Sequence, residues 1–258
     1  MNTTATSMRN VSILGMRVDE TSIDEAAKVI INWAKINSSK YVCVSNVHMC
    51  MESYDSKCYR DQVNSADIVV PDGKPLAIGA RLLGNEKTNQ IRGADLTRYL
   101  LQIANDEGIS VGFYGSSYET LEAIKKGLQN TYPKLKIATL ISPPFRELTQ
   151  EENTQDINLI NSSGVQLLFV GLGCPKQEIW MSKQKNTVKS VMVGVGAVFD
   201  FLSGTKSEAP IIIQKLGLEW FFRLITEPRR LWKRYMYHNP RFLWNYFKQY
   251  RISRLNKV

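Results

Sequence analysis

Three turns in this chain of 258 residues carry side chains suited to phosphorylated substrates. The densest runs Leu168-Phe169-Val170-Gly171-Leu172-Gly173-Cys174-Pro175-Lys176-Gln177-Glu178-Ile179-Trp180. An apolar run leaves through Gly171 and Gly173, Pro175 suits the first turn of a helix, and Lys176, Gln177 and Glu178 share that turn. A helix N-terminus offers unpaired N–H groups and the positive end of its dipole, so an added lysine favours a diphosphate. In Asp67-Ile68-Val69-Val70-Pro71-Asp72-Gly73-Lys74-Pro75 the carboxylate of Asp72 leaves a strand at a Gly/Pro bend and is free to point into a cleft, although Asp-Gly is a common turn in its own right. The third, Gly112-Phe113-Tyr114-Gly115-Ser116-Ser117, is a strand running into a helix start whose amides suit a phosphate, as many such turns do without holding one.

Charge is distributed unevenly around these turns. Residues 204–258 hold 12 Lys/Arg against 3 Asp/Glu, which accounts for the whole net charge of +9. Eleven of the 25 aromatic residues lie in the same stretch, among them Trp220, Trp232, Tyr235, Trp244 and Phe247. A neutral body with a cationic, aromatic end points to an anionic partner: nucleic acid, an acidic membrane surface or a phosphorylated substrate. Interleaved Trp, Tyr and Arg suit the lipid headgroup layer as well as a polynucleotide. The plain alternative is a solvated basic helix pair packed on the core.

The elements that must position these groups are short apolar runs alternating with helical patterns. Strands are expected at Val11–Leu14, Tyr41–Val44, Asp67–Val70, Ile109–Tyr114, Lys136–Leu140, Gln166–Val170 and Val191–Val195. Ser22 with Glu25, Ser116 with Glu119 and Thr149 with Glu152 have the spacing of capping boxes, and Leu96, Leu100, Ile103 and Ala104 form an apolar stripe after Asp95. Such alternation predicts an α/β fold: a Rossmann-like, largely parallel sheet flanked by helices, with ligands at the carboxyl ends of its strands. The α/β body is expected over residues 8–203 and a basic, aromatic helical appendage over 204–258.

Composition excludes other classes. No stretch approaches the roughly 18 apolar residues of a membrane span, and the N-terminus lacks the basic and apolar regions of a signal peptide. A cytoplasmic protein, peripheral on the inner face of the plasma membrane, is expected. Cys43, Cys50, Cys58 and Cys174 form no Cys-x-x-Cys pair and His48 and His238 are the only histidines, a pattern of reduced structural thiols without a zinc site. A nicotinamide-dependent oxidoreductase would need Gly-x-Gly-x-x-Gly after the first strand with an acidic residue about 20 positions on, and neither is present. A nucleic-acid-binding protein would explain the tail but leave Asp72 and the Pro-Lys-Gln-Glu turn without purpose.

Gly171 to Glu178, followed by Gly194-Val195-Gly196-Ala197-Val198-Phe199-Asp200, Gly217-Leu218-Glu219-Trp220-Phe221-Phe222-Arg223-Leu224 and Glu227-Pro228-Arg229-Arg230, resembles the WecG/TagA/CpsF glycosyltransferase family. Asn46, Pro71-Asp72-Gly73 and Arg92-Gly93-Ala94-Asp95-Leu96 match its earlier motifs in order, so the resemblance spans residues 10–240. It implies an inverting, metal-independent transferase moving a hexose or N-acetylhexosamine from a UDP-sugar to a sugar on undecaprenyl diphosphate, with no cofactor and no nucleic acid, in the assembly of teichoic acid linkers or exopolysaccharides. By that resemblance Asp72 is the general base and Gln177 orients the donor or its leaving phosphate. Asn46, Gly73, Arg92, Asp95, Gly171, Gly173, Lys176 and Asp200 bind substrate, and Arg223, Arg230 and Lys233 reach the diphosphate. The appendage would dock on an anionic membrane and complete the site, and its exposed aromatics favour a homo-oligomer. Three departures stand out: Val44 where some members have threonine, Glu208-Ala209-Pro210 where Arg-Ala-Pro is usual, and Lys233 where arginine is frequent, since lysine gives up bidentate phosphate binding.

Overall fold

The computed structural model describes residues 8–255. It opens with a hairpin, β1 (Asn10–Ile13) and β2 (Met16–Asp19), which pair antiparallel. The strand expected at Val11–Leu14 therefore forms outside the parallel sheet. Leu14 and Gly15 both take positive φ, 52° and 90°, which reverses the chain within two residues and sends it back along itself. The Asp19 carboxylate then accepts the Val69 N–H at 2.7 Å, fastening the hairpin beside the edge of the main sheet.

Six parallel strands form that sheet: β3 (Lys40–Ser45), β4 (Ile68–Pro71), β5 (Ser110–Gly115), β6 (Lys136–Ile141), β7 (Leu167–Gly171) and β8 (Val191–Gly194), in the order β4-β3-β8-β7-β5-β6. Alternate side chains go to opposite faces, and both faces are apolar. Val42, Phe113, Phe169 and Val193 join one buried cluster, while Tyr41, Cys43, Tyr114 and Met192 join the other. Strands buried on both sides read as continuous apolar runs, which is why the sequence pattern found them.

Helices cover the two faces. They are α1 (Ile23–Lys35), α2 (Val47–Asp55), α3 (Lys57–Asn64), α4 (Lys74–Leu82), α5 (Gly93–Glu107), α6 (Tyr118–Thr131), α7 (Gln150–Ser162), α8 (Lys176–Gln184) and α9 (Val198–Leu202). Capping boxes start α1 at Ser22 and α7 at Thr149. At α6 the cap shifts by one residue from the expected Ser116. That residue takes φ of 64° in the turn, and Ser117 accepts the Thr120 N–H instead.

Three further helices, α10 (Ile211–Leu216), α11 (Glu219–Thr226) and α12 (Pro228–Leu255), follow and fold back over the carboxyl ends of β3 and β4. Of these, α10 and α11 contain no buried residue, and α12 buries only Leu231, His238 and Phe242. Phe242 enters the same cluster as Met49 and Leu76, the Tyr246 hydroxyl donates to the Gly79 carbonyl at 2.8 Å, and Arg241 grips Asp55 at 2.6 and 2.9 Å. No helix among the described residues is long and apolar enough to cross a membrane.

Candidate active site

Asp72 follows the last residue of β4, and its backbone N–H donates to the Ser45 carbonyl at 2.8 Å, drawing together the ends of β3 and β4. Its Oδ1 accepts the N–H of Gly93, the first residue of α5, at 2.8 Å. That bond uses one of the amides that every helix leaves unpaired and fixes the carboxylate plane. Oδ2 receives no hydrogen bond from the described residues. Burial, and then the Glu219 carboxylate nearby, push the Asp72 pKa up to about 6, outweighing the Gly93 amide, Arg92 and Arg223, which pull it down. A half-buried carboxylate tuned in this way is ionised at neutral pH yet still basic enough to take a proton.

A cleft of about 490 Å³ opens over this carboxylate. Asn46, Asp72, Gly73 and Lys74 form its floor, and the wall facing them comes from the C-terminal helices, with Trp220, Arg223, Arg234, Tyr235, Phe242 and Leu243 among its residues. Asn46 caps α2, its side-chain oxygen accepting the Met49 N–H at 3.2 Å, and this leaves the side-chain amide donors for a ligand. Nε of Arg223 and of Arg234 is buried without a partner. Burial depresses the Arg234 pKa, the mark of a guanidinium taken out of water with nothing to balance it, and an anion in the cleft would supply that balance.

Other expected site residues lie elsewhere. Arg92 does not face the cleft: its guanidinium, nearly buried, binds Asp95 at 3.0 Å, Glu208 at 3.1 Å and Glu219 at 2.9 Å. Three carboxylates saturate its donor fork, so it clasps the body to the C-terminal helices. Asp200 pairs with Lys206, which also reaches Glu227 at 2.9 Å. Arg230 is half exposed and held by the same Glu227 at 2.5 Å, and Lys233 is exposed with its ammonium 5.8 Å from the Trp232 ring.

The Gly171–Glu178 turn leaves the carboxyl end of β7 and does not line the Asp72 cleft, although Cys174 lies near enough to Arg234 for the two to influence each other. Lys176 is exposed, whereas Gln177 and Glu178 are buried. Glu178 accepts the Tyr59 hydroxyl at 2.9 Å and the Gln177 Nε2 at 2.6 Å, and Tyr59 lies 3.3 Å from the Cys174 sulfur. Burial raises the Glu178 pKa against those donors. Gln177 lies under the end of β8, where a Cβ on Gly194 would come 3.2 Å from its Nε2 and one on Gly196 would come 3.4 Å from its Oε1. That Oε1 is buried and unpartnered. Gly171 has no room for a side chain because the Phe199 ring is against it.

A cleft at the carboxyl ends of parallel strands, with one tuned carboxylate and facing arginines, agrees with the comparison of the chain with known proteins, in which the family model for the glycosyl transferase WecG/TagA/CpsF family matches residues 11–256. The chain belongs to this family. It is therefore a glycosyltransferase. Three relatives carry the name N-acetylglucosaminyldiphosphoundecaprenol N-acetyl-beta-D-mannosaminyltransferase. The protein of Bacillus subtilis strain 168 is 30% identical over 73% of this chain and 72% of its own length. That of Bacillus spizizenii is 28% identical over 84% and 82%, and that of Staphylococcus aureus strain NCTC 8325 is 29% identical over 86% of each.

The departures at Val44 and Glu208 from the usual family pattern have a structural account. Val44 is buried, with its Cγ1 packed where a Cβ on Gly93 would approach to 3.2 Å, so this position contributes packing beneath α5. Glu208 binds Arg92 and Arg98 of α5, so an acidic residue here ties the segment before α10 to the body. Sequence reasoning overlooked Arg234, Glu219 and Tyr235. A helical reading of residues 228–255 would have placed Arg230 and Arg234 one turn apart on one face, and only the docking of α12 turns Arg234 into the cleft and leaves Arg230 at the surface.

Proposed function

We propose that this glycosyltransferase moves a hexose or N-acetylhexosamine from a UDP-sugar to a sugar carried on undecaprenyl diphosphate, with inversion, in the assembly of a bacterial cell-surface polymer. The observation that carries the reading is the pairing of a tuned carboxylate, Asp72, with Arg223 and Arg234 across one cleft. The relatives' names supply the acceptor class, a sugar on diphosphoundecaprenol.

In this reading Oδ2 of Asp72 takes the proton from the acceptor hydroxyl as its oxygen attacks the anomeric carbon from the face opposite the nucleotide. The new glycosidic bond forms, the bond from carbon to phosphate oxygen breaks, and UDP leaves with the electron pair. One positioned base contributes about 10²–10⁴-fold. The sequence holds no Asp-x-Asp triplet to fix a metal on the sugar nucleotide. Leaving-group charge is then assigned to fixed cations, with Arg223 and Arg234 already in place. Gln177, whose free oxygen lies under the end of β8, is assigned the donor side.

An acceptor on a lipid requires access to a membrane surface. Trp220, Phe221, Trp232, Trp244 and Phe247 are exposed on the C-terminal helices, with Lys248 4.9 Å over Trp244 and Arg251 5.8 Å over Phe247. Rings and cations alternating on one surface suit the headgroup layer, where each basic residue contributes about 1 kcal/mol of attraction to an anionic leaflet. Peripheral docking on the inner leaflet follows, with residues 204–258 as docking appendage and 8–203 as catalytic body.

A panel of UDP-sugars incubated with the full chain and a synthetic polyprenyl-diphosphate-GlcNAc, with and without chelator, tests the reading through UDP release and product mass. Transfer from one donor in chelator supports it. No UDP from any donor under either condition overturns it.

A further inference from the structure

The two histidines of this chain, far apart in sequence, meet. His48 lies in the first turn of α2, Glu52 one turn on, and His238 comes from α12, with ring centroids of the two imidazoles 4.9 Å apart. Nδ1 of His48 is 3.7 Å and Nε2 of His238 is 3.6 Å from the same carboxylate oxygen, Glu52 Oε1. One ligand atom from each residue falls within 4.8 Å of the others. These separations are too long for hydrogen bonds. They approach the spacing of ligands around a tetrahedral ion, where bonds of about 2.0–2.1 Å put neighbouring ligand atoms about 3.3 Å apart.

A second observation is independent of those distances. Nδ1 of His48, the nitrogen that faces Glu52, is buried with no hydrogen-bond partner among the described residues. Buried ring nitrogens are normally paired, and an orphan aimed at a carboxylate marks a missing group. A neutral imidazole nitrogen carries the lone pair that a metal needs. Glu52 supplies one negative charge, while Asp55 and Arg241 in the adjoining turn cancel each other. Arg234 and Arg241 lie close enough to oppose a second positive charge, and of these Arg241 is paired with Asp55.

We propose that His48, Glu52 and His238 bind one divalent transition-metal ion of the zinc class, which staples α12 to α2. Two imidazoles and a carboxylate select zinc or cobalt over magnesium or calcium, which prefer all-oxygen sites. His48 and His238 both line the cleft, so the fourth position opens into it, toward water or an anion. The site exists only while α12 rests on α2, so the ion and the docked C-terminal helices stabilise each other. This site shares the cleft with Asp72, but the argument for it does not rest on the glycosyl-transfer reading.

The test uses the full chain, stripped with chelator and dialysed, then titrated with Co²⁺ while visible absorption, bound metal per chain and Tm are recorded. One Co²⁺ per chain with four-coordinate d–d bands, a raised Tm and displacement by Zn²⁺ are expected. The paired substitution His48→Gln with His238→Gln should abolish the bands, and Glu52→Gln, which removes a direct ligand, should weaken binding by at least the roughly 10–100-fold that loss of an outer-shell partner costs. Glu52 is partly solvent-exposed, so its variant carries the test if the paired one fails to fold. No binding at micromolar Co²⁺, bands that survive the paired histidine substitution, or an affinity unchanged by Glu52→Gln overturns the proposal and leaves a packed histidine pair.

Discussion

Two glycine-rich strand ends, after β4 and after β7, look alike in sequence and differ in what they do with their polar groups. The β7 turn, with Gly171, Gly173, Pro175, Lys176, Gln177 and Glu178, is far denser in special residues. Yet it turns Gln177 and Glu178 inward, into a network with Tyr59. The β4 turn has little more than Asp72-Gly73, and it presents Asp72 to the cleft. Density of unusual residues measures how tightly a turn is constrained. What a turn can offer a ligand depends on what lies across from it: Asp72 has α11 and α12 across a cavity, whereas the β7 turn keeps only the Gln177 oxygen unpartnered.

The sharpest way to break this contrast is Asp72→Asn. Asn keeps the acceptor for the Gly93 amide but cannot take a proton, so transfer should fall by about 10²–10⁴-fold with UDP-sugar affinity retained. Steady-state rates and calorimetric donor binding measure the two quantities, and an unchanged rate would remove Asp72 from the mechanism. In the unaltered protein kcat/KM should drop tenfold per pH unit below about 6, because the ionised form is the base. Stability runs the other way. The folded pKa of Asp72 lies above its ordinary value of 3.8, so its contribution is greatest at low pH and is lost as pH rises through about 6. The Asn variant should therefore gain Tm relative to the parent at pH 8 and lose that gain at pH 4.

Glu178→Ala addresses the other turn. It strips the Tyr59 hydroxyl and the Gln177 amide of their partner inside the core, at about 1–3 kcal/mol for each group left unsatisfied. Urea unfolding should show a loss of about 2–6 kcal/mol. A Glu178 variant that loses transfer without losing stability would give Glu178 itself a part in the reaction and erase the distinction.

Arg92→Ala loosens the clasp between the body and the C-terminal helices. It leaves Asp95, Glu208 and Glu219 facing one another and should cost about 1–3 kcal/mol, read in the same unfolding assay. The smallest effect expected is a shift of the pH limb. Glu219→Gln removes a charge that raises the Asp72 pKa, so the kcat/KM limb should move below 6. A limb that stays in place would show that Glu219 does not act on Asp72.

Local signals in the sequence determined the sheet strands, the caps of α1 and α7, the Asp72 turn and the charge imbalance of residues 204–258. Each depends on residues within one or two turns of one another, where periodicity and side-chain chemistry suffice. The hairpin strand was legible but its partner was not, because Met16–Asp19 is short and the reversal at Leu14-Gly15 relies on a leucine at positive φ. Only the tertiary structure decided the rest. How α12 docks, through Leu231, His238 and Phe242, sets which of its cations meet the cleft, so Arg234 faces it and Lys233 does not. The same docking gives Arg92 its partners Glu208 and Glu219 and brings His238 to His48. Those contacts join residues about a hundred or more positions apart, and no local pattern encodes the distance between groups that meet only when the chain folds back on itself.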